Sequence, residues 1–235
     1  MLPTSNWLNK LPQRIYLYLK SREFSRRYIF NKIYRRNEWG GKESVSGRGS
    51  DLSQTRAIIE DFPTLFREFS ISTMLDIPCG DFHWMQHVDL SEISYIGADI
   101  VDELVKLNAK KYSTDQIGFN KIDLIKDKLP CVDLVFCRDC LVHLSFQDAL
   151  KALSNISSSG SKFILTTSFT DRHINKDIQT GQWRTLNLGQ PPFNFPKPLK
   201  IIVENCTEGD GIYRDKSLCL WRLQDIKECL LVNNK

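Results

Sequence analysis

An α/β fold is predicted for this chain of 235 residues: a mostly parallel, seven-stranded sheet with helices on both faces and an antiparallel hairpin at its C-terminal end. Three observations predict it. Apolar, β-branched runs recur from Ser72 onward, stretches of helical period separate them, and the last two strand-like runs are joined by a connection too short for a crossover helix. Strands that alternate with helices require a parallel sheet covered on both faces.

Taken in order, the chain opens with a basic, aromatic-rich segment. Between Met1 and Glu43 ten Lys and Arg residues face three acids, with Trp7, Tyr16, Tyr18, Phe24, Tyr28, Phe30, Tyr34 and Trp39 interleaved. This reads as one or two amphipathic helices forming an extension over residues 1–43. Three placements compete for it: folded back on the main domain, resting on an anionic membrane surface, or clamping nucleic acid. Residues 44–235 form the main domain. Its "SGRGS" linker offers backbone N–H groups to a carboxylate or phosphate, and Ser50 or Asp51 caps the first helix. Strands follow at "STMLDI", "SYIGADI", "GFNKIDL", "VDLVFCR" and "KFILTTSF", with helices around Trp84, in "DELVKLNAKKY" and in "SFQDALKALSNI". "LKIIVENC" and "KSLCLWRL", joined by "TEGDGIYRD", are the hairpin.

In an open sheet of this Rossmann-like kind, ligands sit at the carboxyl ends of the strands, where the strand order reverses. Asp76 ends the first strand, Gly80 lies in the next turn, and Asp99 ends the second strand, where a carboxylate can take both hydroxyls of a ribose. The turn "PCGDFHW" has one glycine and then Asp81. It lacks the G-x-G-x-x-G that receives a pyrophosphate, and its acids repel phosphate. A cationic sulfonium nucleoside suits it better than NAD does.

The ordered series "LDIPCGDF", "YIGADI", "IDL" and "VDLVFCRDCLVHL" resembles the motifs of class I S-adenosylmethionine-dependent methyltransferases over roughly residues 50–223, and among them bacterial methyltransferases of unassigned substrate. The resemblance implies S-adenosyl-L-methionine as cofactor. It implies that Asp76 and Gly80 line the methionine end, with Pro78 and Asp81 in the same turn. Asp99 and Ile100 would hold the ribose, and Asp123 the adenine amino group, with Ile122 or Leu124 flanking the ring. Arg138 would stand at the mouth of the cleft. In that family the first motif usually carries a second glycine, which this chain replaces.

An alcohol acceptor must lose a proton, and histidine is the usual base near neutral pH. His143, just beyond the fourth strand, is the candidate general base, with Asp139 as its orienting partner. The long connection after the fifth strand supplies candidate acceptor-binding residues: Arg172, Trp183, Arg184 and Asn187, joined by Asp171, Asn175 and Asp177. Aromatic faces beside converging hydrogen-bonding groups suit a sugar or another polyol. The motif that amino methyltransferases of bases place after the fourth strand is replaced here by "CRDC", which disfavours base N-methylation.

The expected activity is methyl transfer to a hydroxyl of a small molecule or glycan precursor, in the cytoplasm, with peripheral membrane contact through residues 1–43 as an option. A noncatalytic cofactor-binding partner and an RNA methyltransferase using the basic arm are the alternatives. No metal cluster stands out. The seven cysteines, including the Cys137–Cys140 CxxC, read as reduced packing residues and not as a disulfide framework or zinc site.

Overall fold

The structure is a computed structural model and describes residues 25–232. The expected helices before residue 25, with Trp7, Tyr16, Tyr18 and Phe24, lie outside the described residues.

Helix α1 (Arg26–Arg36) is capped by Ser25, whose side chain accepts from the Tyr28 N–H at 3.2 Å. Helix α2 (Leu52–Glu68) follows a glycine-rich loop. The parallel part then runs β1 (Thr73–Asp76), β2 (Ser94–Asp99), α3 (Asp102–Tyr112), β3 (Ile117–Lys121), β4 (Leu134–Cys137), α4 (Phe146–Ser158) and β5 (Phe163–Phe169). The chain ends on β6 (Lys200–Val203), β7 (Lys216–Arg222) and α5 (Leu223–Val232). The seven strands form one sheet in the order β3-β2-β1-β4-β5-β7-β6. The first five are parallel, and β7 runs antiparallel to both β5 and β6.

Alternation along the strands explains the layers, because successive side chains point to opposite faces. Met74, Leu134, Phe136, Leu165, Leu218 and Leu220 join Ile58, Phe62, Leu65 and Phe66 of α2 on one face. Leu75, Val135, Cys137, Ile164, Cys219 and Trp221 join α4 and α5 on the other. In α4 the buried set Ala149, Ala152, Leu153 and Ile156 has the spacing of one helix face. Its N-cap Ser145 accepts from the Asp148 N–H at 3.2 Å.

Two local expectations change. The segment around Trp84 is not a helix but a single 3-10 turn, Met85–His87. Its apolar residues are anchors: Trp84 meets Phe62 and Phe136, and Phe82 meets Tyr95, Tyr112 and Phe119. At the start of α2, Asp51 is the N-cap residue but its side chain makes no capping bond. The Glu43 carboxylate accepts from the Leu52 N–H at 3.1 Å instead, so the carboxylate that meets this helix end is the chain's own. No disulfide joins any of the seven cysteines. No helix among the described residues is long and apolar enough to cross a membrane.

Candidate active site

Strand order reverses between β1 and β4, and a cleft opens at their carboxyl ends, as the physics of open α/β sheets requires. Its floor is the turn after β1. Gly80 has φ +55, and a Cβ there would lie 2.2 Å from Ser46 Oγ, so both backbone conformation and space demand glycine. The turn is held from three sides: the Cys79 N–H donates to the Ala98 carbonyl at 2.8 Å, Asn108 Nδ2 donates to the Gly80 carbonyl at 2.8 Å, and the Ile77 N–H donates to the Phe136 carbonyl at 2.9 Å.

Two buried acids stand at neighbouring strand tips. Burial pushes Asp76 up to about 8, although Tyr95 donates its hydroxyl to Oδ2 at 2.6 Å and favours the charged form. Burial likewise pushes Asp99 up to about 6, against N–H bonds from Val101 at 2.9 Å and Gly80 at 3.3 Å. Both face a cleft where a cationic ligand would restore their charge. Asp81 also lines the cleft, but its carboxylate accepts from the Ser44 hydroxyl at 2.8 Å and the Val45 N–H at 3.0 Å. It closes the 44–46 loop onto the turn.

Pro78, Ile100, Leu124 and Arg138 line the same cleft. Asp123 does too, and it is bound by Arg26 of α1, whose Nη2 lies 3.1 and 3.3 Å from its two carboxylate oxygens. Arg26 also lies 3.5 Å from Asp148. Sequence reasoning missed this wall: Phe30 and Tyr34 of α1, and Trp39 after it, complete the lining. Of the three placements weighed for the basic segment, its described part takes the one folded back on the domain. Asn108 and Tyr95 were missed as well, although a polar residue one helical turn after buried Leu104 was a legible signal.

His143, which also lines the cleft, sits in the 3-10 turn Leu141–His143. Its ring lies 5.0 Å from that of Trp39. Nδ1 is 2.9 Å from the Gln182 carbonyl oxygen. A carbonyl only accepts, so Nδ1 carries the proton and Nε2 keeps its lone pair. Burial holds the ring's pKa below the ordinary histidine value, with the Gln182 bond and Asp139 opposing. The ring is therefore neutral near pH 7 and able to accept a proton.

The orienting partner predicted for it is corrected. Asp139 acts on His143 only through its field; its Oδ2 accepts from Lys216 Nζ at 2.6 Å, and its N–H donates to Thr167 Oγ1 at 2.8 Å. Burial opposes ionisation of Asp139, but Lys216 and Arg138 outweigh it and bring the carboxyl down to about 2. Arg138 donates to Glu204 Oε2 and to the Gly49 carbonyl, each at 2.7 Å.

The loop after β5 is the larger correction. None of Arg172, Trp183, Arg184 and Asn187 is among the residues that line the cleft. Arg172 makes a two-pronged bond to Asp215 at 3.0 and 2.8 Å. Asn187 Nδ2 donates to the Thr170 and Arg172 carbonyls, and Asn175 Nδ2 to the Asn187 and Pro191 carbonyls. Asp177 accepts from the Phe146 N–H at the start of α4. Asp171 is exposed beside Asp215. Trp183 is 44% exposed and packs on Phe169 and Tyr213. A long loop has many backbone groups of its own to satisfy, and these side chains answer that demand. Its bearing on the site is indirect. The Gly181 and Arg184 N–H groups donate to the His143 and Val142 carbonyls, and Arg184 Nη1 donates to the Leu141 carbonyl at 2.9 Å. The loop thus clasps the turn that carries His143.

Solved structures share this architecture. Human N-acetylserotonin methyltransferase in complex with S-adenosylmethionine superposes with a TM-score of 0.58 at 17% identity, covering 87% of this chain. The chain spans 61% of the length of that protein. The N-methyltransferase NodS from Bradyrhizobium japonicum WM9, in complex with S-adenosyl-L-homocysteine, gives 0.56 at 13% identity, over 80% of this chain and 97% of that one. The chain has the class I methyltransferase fold. No protein-family model matches the sequence, and no curated protein sequence matches it. Residues of the β1–β4 switch and His143 line one and the same cleft. Among the described residues, no group of His, Cys, Asp and Glu is arranged to hold a metal ion.

Proposed function

We propose that this chain transfers a methyl group from S-adenosyl-L-methionine to a hydroxyl of a small molecule or glycan precursor. One observation carries the reading: two buried carboxylates, Asp76 and Asp99, flank a glycine turn at the strand-order switch of a methyltransferase fold. That site suits a positively charged nucleoside and is hostile to a pyrophosphate. The residues fit the cofactor. Asp99, beside the Gly80 and Val101 N–H groups, would bind the ribose. Asp76 and the tight Gly80 turn would meet the methionine end, and Asp123 the adenine amino group, with Ile122 and Leu124 along the ring.

The bound cofactor supplies a methyl group activated by a sulfonium. The chain supplies position and proton transfer. Phe30, Tyr34, Trp39 and Trp84 wall the cleft and exclude water. His143, fixed by Gln182 in the tautomer with an open Nε2, takes the acceptor's proton as its oxygen becomes nucleophilic. The ionised Asp139 nearby favours the imidazolium that results. Three exposed cations of α1 have partners on the chain, Lys32 and Arg36 with Glu38 and Arg35 with Glu103, which favours a covering role for this helix over a polyanion clamp.

Calorimetry with S-adenosylmethionine, S-adenosylhomocysteine and NAD side by side tests the cofactor. Binding of the first two without the third is expected; binding of NAD alone overturns the reading. Transfer of tritiated methyl from S-adenosylmethionine into a low-molecular-weight cell extract, stable to base as an ether, tests the acceptor atom.

A further inference from the structure

Behind one wall of the cleft, charged side chains occupy places where apolar ones would normally pack. Arg138, Glu204 and Lys216 are 6%, 2% and 5% exposed. Arg138 and Asp139 line the cleft, whereas Glu204 and Lys216, carried by the C-terminal hairpin, stand behind them. Lys216 Nζ donates to Asp139 Oδ2 at 2.6 Å and lies 3.3 Å from Glu204 Oε2. Arg138 donates to the same Glu204 oxygen at 2.7 Å, and its Nη1 lies 3.5 Å from Asp139 Oδ2. Buried ion pairs are generally no better for stability than apolar side chains of equal volume, so the sheet does not need these four charges. The two cations converge on Asp139 Oδ2. The other oxygen, Oδ1, has the Thr167 hydroxyl at a long 3.4 Å and retains lone-pair capacity for a ligand.

We propose that Lys216, anchored by Glu204, is a positioning residue for the acceptor: its ammonium fixes the direction and the charge of the Asp139 carboxylate, whose Oδ1 receives a hydrogen bond from the acceptor beside His143. The acceptor would then carry a second donor group, as a polyol does, next to the oxygen that is methylated. This rests on the methyltransferase reading of the cleft. The charged and titratable groups around Asp139 are Arg138 beside it, Lys216 from the hairpin with Glu204 as its second partner, His143 and Cys140 from the turn after β4, and Glu208, whose Oε2, like Asp139 Oδ2, would lie 3.4 Å from a Cβ placed on Gly49. Lys216 is the one cation among them that donates a hydrogen bond to Asp139.

The test compares wild type with Lys216→Met and Lys216→Arg by two readouts. Carbon-13 NMR of the aspartate carboxyls follows Asp139 directly. In wild type it should stay ionised from roughly pH 4 to pH 9, in Lys216→Met it should titrate within that range, and Lys216→Arg should restore it. Tritiated methyl transfer into a fixed polyol-containing extract should fall on the order of 100-fold in Lys216→Met, with a new acidic limb in its pH profile, while calorimetric affinity for S-adenosylmethionine is unchanged. If Lys216→Met does not fold, the double variant Glu204→Gln/Lys216→Met, which removes one charge of each sign, is read in the same way. An Asp139 titration unaltered in Lys216→Met or in the double variant, or a turnover and pH profile there identical to wild type, overturns the proposal. Absence of methyl transfer in wild type overturns the functional reading instead, and the NMR result still decides whether Lys216 governs Asp139.

Discussion

The turn after β1 and the loop after β5 leave the same end of the sheet, and both are rich in polar residues. Their polar atoms go to different places. In the turn, Asp76 and Asp99 are held by a few bonds from Tyr95, Gly80 and Val101 and still face the cleft. In the loop, Arg172, Asn175, Asp177 and Asn187 satisfy carbonyls and N–H groups of the chain itself. The start of the turn has its backbone paired by the sheet, Ile77 with Phe136 and Cys79 with Ala98, which leaves side chains over for a ligand. A connection of some thirty residues without a strand or helix of its own has first to satisfy itself. Polar composition near a strand tip therefore marks a binding site only where the backbone is already paired.

The contrast can be broken most forcefully at His143, which the turn after β4 carries and the loop after β5 holds through the Gln182 carbonyl. Replacing it with Gln should slow methyl transfer into the extract by roughly 100- to 10,000-fold while leaving calorimetric cofactor affinity intact. Equal losses in both would make it a packing residue. Asp99→Asn should weaken S-adenosylmethionine binding by about 10- to 100-fold, since a charge-assisted bond becomes a neutral one. The matching change in the loop, Asn187→Ala, should lower stability by about 1–3 kcal/mol in a denaturant titration and leave cofactor affinity unchanged. A loss of affinity there would return the loop to the binding site.

A smaller effect sharpens the account of the turn. With Asp99 at about 6 and Asp76 at about 8, both raised chiefly by burial, the site gains negative charge as pH rises between those values. Affinity for the sulfonium should rise several-fold from pH 6 to pH 8, by the linkage between charge and binding, and affinity for S-adenosylhomocysteine less. Stability of the free protein should move the other way. For an acid whose folded pKa is raised, the folded state holds the extra proton, so the contribution is full at low pH and lost as pH rises through the folded value. A thermal melt without ligand should therefore decline across the same window, and added cofactor should flatten the decline.

The layers of the fold were legible because period and run length are local properties: β-branched runs gave the parallel strands, and the short "TEGDGIYRD" link gave the hairpin. The seating of β7 between β5 and β6 was not, since either hairpin strand has the composition to pair with β5. The apolar residues Phe82 and Trp84 suggest a helix, but each answers to aromatic partners on other elements, and Met85 is buried in the same cluster. In the site, strand-tip acids and the single glycine were readable because the sheet fixes where strand tips lie. The basic helix was readable, with folding back on the domain among its placements, but its seat on the cleft was not, because Arg26 and Asp123 are 97 positions apart and no local pattern joins them. For the same reason His143 could be found but not its partner, a backbone carbonyl 39 residues later.

The place of β7 also sets an order of events during synthesis. The chain emerges with the turn after β1 and β5 complete, but the fifth strand stays an open edge until Lys216–Arg222 leaves the ribosome and slots in beside it. Only then does the ammonium of Lys216 arrive beside Asp139. A nascent chain thus has Asp76 and Asp99 at their strand tips well before Asp139 can meet its ammonium partner.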